Sequence, residues 1–288
     1  MAEVLRISSW NVNGIRASVK KDQGIMSYLE GCAPDVCGLQ ELKASPAQIP
    51  EALLGMPGYS SFFHSGELKG YSGVGILTKK EPLEVGNCLG VQEFDREGRF
   101  ITADFGSFVL ANVYFPNGGQ WPEPWPLGLE WPEGLDWQGW MDYDGWPSWL
   151  DRLKFKMAFY ARFKDWAVEL VRSGKHLVVC GDVNTAHKEI DLARPKENER
   201  TTGFLPGERE WITGFLGCGF VDTLREFDKG GGRYSWWDFK TRARERNVGW
   251  RLDYFFVDAP FMEKVRRAYI ESDVYGSDHC PVGIEVEL

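Results

Sequence analysis

Short apolar runs that stop at a cluster of amides and acids set the strongest limit on how this chain can fold. Five of them, at residues 4–7, 36–39, 73–77, 108–113 and 176–180, have the length of single strands, and two more follow at 252–257 and 282–286. Helical spacing is confined to residues 24–29 and 155–172, and Gly, Pro, Asn and Asp punctuate the gaps. Many strands with few long helices predict an α+β protein built on packed sheets. No linker divides the chain, so residues 1–288 are read as one domain.

The 288 residues, 43% hydrophobic and 26% charged, are enough to bury a sizeable core without a disulfide or metal staple. No apolar run reaches the ~18 residues of a membrane helix. The opening MAEVLRISSW lacks the basic and apolar regions of a secretory signal. The six cysteines, Cys32, Cys37, Cys88, Cys180, Cys218 and Cys280, form no CxxC pair, and several lie inside strand-like runs. They read as buried free thiols in a reducing cytoplasm. A net charge of −9 argues against a general nucleic-acid coat protein. It leaves room for a metal-dependent phosphodiesterase, which needs carboxylates and takes its phosphate contacts from a local basic surface.

Chemistry is expected where the runs end. Ser8, Ser9 and Trp10 lead into Asn11 and Asn13, residues 36–39 into Gln40 and Glu41, and residues 176–180 into Gly181, Asp182 and Asn184. Residues two apart on a strand share a face, so Asn11 pairs with Asn13 and Asp182 with Asn184. Taken singly, such residues are ordinary turn formers. Asp253 is harder to dismiss, because it interrupts the apolar run RLDYFFV and a buried carboxylate is costly unless paired. A histidine is the obvious partner, from among His64, His176, His187 and His279, and Asp278-His279 adjoins the last strand. An Asp–His pair beside several oxygen ligands suggests hydrolysis assisted by a hard cation such as Mg²⁺. HExxH, a Cys/His zinc cluster, GxxxxGK[ST] and GxSxG are all absent.

Residues 118–151 are unusual. They carry no Lys or Arg, seven acids, five prolines and seven of the 13 tryptophans: Trp121, Trp125, Trp131, Trp137, Trp140, Trp146 and Trp149. The spacing fits neither helix nor strand and predicts a long ordered loop held by aromatic packing. It is either a self-packed surface insertion or a surface that touches substrate or a partner.

The segments SSWNVNGIRA, GLQELK, GYSGVGIL, EGRF, NVYFPNG, CGDVNTAHKEIDLARPKEN, GFLPGERE, YSWWDFKTRARERNVGWRLDYFFV and SDHCPVGIEVEL run in order from residue 8 to the C-terminus. In these the chain resembles the exonuclease III family of abasic-site endonucleases, within the endonuclease/exonuclease/phosphatase superfamily, and its look is that of an archaeal-type member with a Trp-rich insertion at 118–151. The resemblance implies a four-layer α/β/β/α sandwich, DNase I-like, with a site at one edge. It also implies a Mg²⁺ or Mn²⁺ cofactor and hydrolysis 5′ to an abasic deoxyribose in duplex DNA, leaving a 3′-hydroxyl and a 5′-deoxyribose phosphate. Some 3′–5′ exonuclease and 3′-phosphodiesterase activity accompanies it.

By the same resemblance Glu41 is the principal metal ligand, with Asn11 nearby and Asp278 beside the ion. Asn13 stands where some relatives carry Asp, which weakens a two-metal scheme. Asp182 activates the attacking water or protonates the leaving group. Asn184, Tyr114 and Asn117 hold the scissile phosphate, and Asp253 orients His279, which stabilises developing charge or acts as base. Trp236, Trp250 and Leu252 match an apolar pocket for the flipped sugar. Lys43, Tyr71, Lys69, Arg16, Arg99 and the basic stretch 240–246, including Arg242, are candidate backbone contacts. The insertion is expected to flank the DNA groove, its acids keeping it off the phosphates, and to contact unstacked bases, cover the site edge or bind a protein partner. Double-stranded DNA as partner, no membrane, a monomeric state and a cytoplasmic, nucleoid-associated location complete the expectation. Three other readings stay open: direct nicking at deoxyuridine or other damaged bases, a lipid or inositol phosphatase of the same superfamily, and a non-catalytic binding module.

Overall fold

A computed structural model describes residues 3–119 and 129–288. Among them twelve strands form: β1 (Val4–Asn11), β2 (Val36–Gln40), β3 (Ser60–His64), β4 (Val74–Thr78), β5 (Glu84–Gly86), β6 (Phe100–Asp104), β7 (Val109–Tyr114), β8 (Leu177–Asp182), β9 (Phe220–Asp222), β10 (Asp253–Asp258), β11 (Val265–Ile270) and β12 (Val282–Glu287). They build two six-stranded sheets, ordered β11-β12-β1-β2-β4-β3 and β5-β6-β7-β8-β10-β9. β1 and β2 run parallel in the first, β7 and β8 in the second, and the other pairs are antiparallel.

All seven apolar runs are strands, and they are interior ones. Of the five that lacked such a run, β3, β5, β9 and β11 are the four sheet edges and β6 lies next to the three-residue β5. An edge strand with a wetted side carries too many polar residues to read as continuous, as SSFFH and VRRAYI do.

The two-residue period of the interior strands sorts their side chains into layers. Leu5, Ile7, Val36, Val74 and Ile76 of one sheet meet Leu110, Val178, Cys180, Phe255 and Val257 of the other. On the outer face of the first sheet Trp10, Cys37, Leu39 and Leu77 pack with Tyr28 and Leu29 of the helix Ile25–Gly31. On the outer face of the second, Ala111, Val113 and Val179 pack under helices Asp151–Arg172 and Pro206–Gly217, through Phe159, Tyr160, Phe163, Ile212 and Phe215. The result is the expected four-layer helix–sheet–sheet–helix sandwich. The helix Pro206–Gly217 went unread in the sequence, although Pro206 at its first position and Glu208 two residues on are start signals. No described helix is long and apolar enough to cross a membrane, and all six cysteines are free.

The Trp-rich stretch corrects one expectation. Trp121 and Trp125 lie outside the described residues, but the rest is not purely irregular: Trp137–Asp142 is a helix, started by Asp136, whose Oδ1 accepts the Gly139 N–H at 2.7 Å. Six residues make fewer than two helical turns and carry no full apolar stripe, so periodicity had nothing to register. Trp131, Trp140, Tyr143 and Trp146 pack mostly edge to face around Trp146, at centroid distances of 5.2, 5.4 and 5.6 Å from it. Trp140 and Trp146 are buried in the outer core beneath the long helix.

Candidate active site

The ends of β1, β2, β7 and β8 and the start of β10 converge on one edge of the sandwich. In register, Tyr114 of β7 and Asp253 of β10 flank Asp182 of β8 on either side. Gly181 precedes Asp182 at φ +138°, and a Cβ there would collide with the Val113 carbonyl, so only glycine lets the strand deliver Asp182 this way. Two of the polar residues just past the strands, Glu41 (φ +58°) and Asn184 (φ +55°), are left-handed, which turns their side chains back toward the sheet edge.

Asp182 and Asp253 sit opposite each other on antiparallel strands, a like-charge pair that needs a cation. His279 is that cation. Its Nδ1 lies 2.8 Å from Asp253 Oδ2 and its Nε2 3.8 Å from Asp182 Oδ2, the second too long for a hydrogen bond. The Trp10 indole N–H donates to the His279 carbonyl at 3.1 Å and fixes the backbone there. The other histidines are engaged elsewhere: His64 with the Phe100 carbonyl, His176 with Asp258 and His187 with Thr213. Asp182 Oδ2 accepts from Asn11 Nδ2 at 2.9 Å and Oδ1 from the Asn184 N–H at 2.8 Å.

The electrostatics follow from this packing. Burial pushes the Asp182 carboxyl up, His279 pulls it down and Asp253 pushes it up again, to about 7. Burial opposes charge on His279, but Asp253 and Asp182 outweigh it and raise the imidazole to about 10. Burial and the nearby Glu41 hold the Tyr114 phenol far above its ordinary value, so it stays a neutral donor. Asp278 is buried too, yet His279 and hydrogen bonds from Asn13, Trp236 and Ser277 hold its carboxyl below the usual range.

An open cleft of about 630 Å³ lies over this cluster. Of the residues singled out in the sequence, Asn13, Glu41, Lys43, Tyr114, Asn117, Asp182, Asn184, Trp236, Trp250, Leu252, Asp278 and His279 line it. Asn11 and Asp253 lie buried behind, reaching it through Asp182 and His279. Arg242, Lys69 and Arg16 are exposed and do not line the cleft.

Arg99 is a correction. It is 1% exposed, paired with Glu97, and its guanidinium lies 4.6 Å from the Tyr114 ring centroid and 5.2 Å from that of Tyr71. It donates to the Tyr71 hydroxyl at 2.8 Å and to the Tyr114 carbonyl at 3.1 Å, so it braces two tyrosines and cannot touch a solvent-borne phosphate. Tyr71 is half-buried in that stack. Arg244 in the basic stretch is likewise committed, sandwiched between Trp237 and Tyr275 and donating to the Ser272 and Val274 carbonyls.

Sequence reading missed Thr201, Thr202 and Gly203, which form one wall of the cleft. It also missed Lys156 beneath that wall. Lys156 shares the i, i+3, i+4, i+7 face of Phe159, Tyr160 and Phe163, and a lysine on such an apolar stripe was the available signal.

The donor set facing the cleft beside Glu41 is all oxygen, as a hard cation requires. The Lys43 ammonium sits 2.8 Å from Glu41 Oε1 and 2.6 Å from Asn13 Oδ1, so a positive charge already bridges these two acceptors. Asp182, Asp253 and His279 also lie close enough together to suggest a metal triad. The 2.8 Å bond within the Asp253–His279 pair argues instead for a charged hydrogen-bonded pair.

Comparison with known proteins adds three observations. The model of the endonuclease/exonuclease/phosphatase family matches residues 8–279. An exodeoxyribonuclease of Bacillus subtilis is 37% identical over 99% of this chain and 100% of its own, and a DNA repair nuclease, APEX1, of Danio rerio is 37% identical over 96% and 81%. Among solved structures, an AP endonuclease from Archaeoglobus fulgidus superposes with a TM-score of 0.81 at 26% identity, covering 99% of this chain and 100% of that one. A 3′-5′ exonuclease from Neisseria meningitidis does so with the same TM-score at 25% identity and the same coverage.

Proposed function

The chain belongs to the endonuclease/exonuclease/phosphatase family, and from that premise we propose that it is a DNA repair nuclease that hydrolyses the phosphodiester 5′ to an abasic site in duplex DNA, with 3′–5′ exonuclease and 3′-phosphodiesterase activity at the same centre. The observation that carries this reading is the junction of two surfaces in one cleft: Asp182 and His279 on its floor, backed by Asp253, and Trp236, Trp250 and Leu252 on its wall. The Trp236 N–H is already spent on Asp278, at 3.1 Å. A base edge pressed against this wall would leave its polar groups unpaired, whereas a sugar lacking its base would not.

The roles follow from charge and reach. Tyr114, Asn184 and Asn117 bind the phosphate oxygens, the neutral phenol as donor. With His279 charged, its Nε2–H stabilises negative charge growing on the phosphate, and Asp253 holds the ring by its Nδ1–H. Asp182, near neutrality and unable to reach His279, takes the proton of the attacking water. The new P–O bond forms as the P–O3′ bond breaks, the departing O3′ takes a proton from solvent, and the products are a 3′-hydroxyl and a 5′-deoxyribose phosphate. Glu41 and Asn13 would hold a Mg²⁺ or Mn²⁺ ion in place of Lys43, with Asn11 and Asp278 fixing Asp182 and Asn13 around it. When bound, that ion supplies charge neutralisation at the phosphate and the departing oxygen. Lys43, Tyr71 and Arg242 contact the DNA flanking the lesion. The six free thiols suit an intracellular location.

The test is strand cutting of labelled duplexes that carry an abasic analogue, uracil or no lesion, with Mg²⁺ or with EDTA. Cutting on the 5′ side of the analogue, dependent on the metal, is expected. Equal cutting at uracil would move the reading to direct nicking of damaged bases, and no cutting of any duplex would overturn it.

A further inference from the structure

The Trp-rich insertion and the segment after Asn184 meet around one buried carboxylate. Glu208 is fully buried, as is Lys156, and their ion pair is 2.6 Å long. Glu208 Oε2 accepts the Gly203 and Leu205 N–H groups at 2.6 and 3.0 Å, and Oε1 accepts the Thr202 hydroxyl at 3.0 Å. Lys156 donates its other protons to the Asn184 carbonyl and to Thr185 Oγ1, each at 2.9 Å. This pair therefore ties the cleft wall at residues 201–203 to the loop that carries Asn184. Gly203 faces the Asn184 carbonyl and the Trp250 ring across a gap that a single Cβ on the glycine would fill, 3.2 and 3.4 Å from them.

The insertion grips the same segment at both ends. Gly118, where it departs from the sheet edge, abuts Thr202 so closely that no Cβ would fit without moving the threonine. Trp131 lies flat against Gly207, immediately before Glu208, and a Cβ on Gly207 would fall inside the indole. Trp131 is itself seated on Trp140 and Trp146, at centroid distances of 5.8 and 5.2 Å, and these are buried under the long helix that bears Lys156. The path from the insertion thus runs from Trp131 through Gly207 and Glu208 to the Gly203 and Leu205 amides, and Gly203 lines the cleft together with Trp250.

We propose that the Trp-rich insertion is a specificity-determining brace: Trp131 and the Glu208–Lys156 pair act as positioning residues that hold the 201–203 wall against Trp250 and so set the width of the pocket for the baseless sugar. The pocket role rests on the function proposed above; the brace itself does not. None of these three side chains touches the reacting atoms. Removal of the Trp131 indole, which touches neither Asp182, Asn184 nor His279, loosens the wall, so discrimination falls more than chemistry does.

The experiment compares the wild type with Trp131→Ala, Trp131→Phe and Gly207→Ala in the full chain, each checked for native circular dichroism. Two readouts are taken: amide hydrogen exchange at Gly203 and Leu205, and kcat and KM on abasic-analogue and uracil duplexes. Trp131→Ala and Gly207→Ala are expected to lose protection at Gly203 and Leu205 while the β8 amides keep theirs. They are expected to lower the abasic-to-uracil ratio of kcat/KM by about tenfold, mainly through KM on the abasic duplex, with Trp131→Phe restoring most of both. If Trp131→Ala does not fold, Gly207→Ala, which keeps the indole and only displaces it, decides on the same readouts. Unchanged protection and an unchanged ratio in a folded variant overturn the brace. A wild type that ignores the abasic analogue overturns the functional reading instead, and the exchange data then decide the brace alone.

Discussion

Arg251 and Asp253 are separated by one residue, and each anchors a buried charge cluster of opposite design. Arg251 donates to Asp191 at 2.7 Å and to both oxygens of Asp222 at 3.0 and 2.7 Å, and Arg225 completes Asp191. Two cations meet two anions, and the carboxylates are saturated with donors. Around Asp253 two carboxylates share one imidazole, and Asp253 Oδ1 is buried with no hydrogen-bond partner. The carboxylates of the first cluster are fully occupied, with only a donor, Arg225 Nε, left over, and the cluster holds the 188–192 loop in place. The second keeps an excess of negative charge just behind the floor of a cleft, which reaches incoming groups through Asp182 and His279. Saturation marks architecture, and a shortfall of donors marks a site poised for chemistry.

Asp182→Asn should break the contrast most sharply. We expect kcat on an abasic duplex to fall by roughly 10³-fold or more, since a general base contributes about 10²–10⁴. Thermal unfolding at pH 8 should be no lower than in the wild type. The folded pKa of Asp182 is raised, so its charge detracts from stability as pH climbs from the unfolded carboxylate range to about 7, and its removal is stabilising above that. A kcat within tenfold of the wild type would remove Asp182 from the reaction.

Arg251→Met should do the reverse. It strands Asp222 and leaves Asp191 with Arg225 as its one cation, at a cost of about 3–5 kcal/mol, readable as a loss in denaturant midpoint. The folded fraction should keep a kcat close to the wild type. The acid side separates the clusters further. Burial opposes the Asp191 charge but Arg251 and Arg225 lower its carboxyl to about 2, so its contribution is complete above the unfolded carboxylate range and disappears as pH falls through about 2. Stability at pH 3 in Arg251→Met should therefore differ less from the wild type than at pH 6.

Glu41→Gln, which keeps shape and removes charge, should raise the Mg²⁺ concentration for half-maximal rate by roughly ten- to a hundredfold. No change in the metal titration would place the ion elsewhere. The mildest effect is in the pH profile. The rate should rise through about 7 as Asp182 loses its proton and fall through about 10 as His279 loses its own. A bound cation beside Glu41 should draw the acid limb lower, so the limb should move with metal concentration while the alkaline limb stays.

The interior strands, the long helix and the residues at the strand ends were readable in one dimension, because strands covered on both faces must be apolar throughout and a carboxylate such as Asp253 stands out against that background. The order of motifs around Glu41, Asp182, Asn184 and His279 likewise carried the family and a candidate site. Edge strands β3, β5, β9 and β11 did not announce themselves, since half-wetted strands tolerate polar residues. Why Arg99 turns inward to two tyrosines and how Trp131 comes to rest on Gly207 were decided only when distant segments packed together. Local sequence sets which side chains must leave water. Partner choice among buried charges depends on register and approach across 26 to 171 residues of intervening chain, which only the folded arrangement specifies.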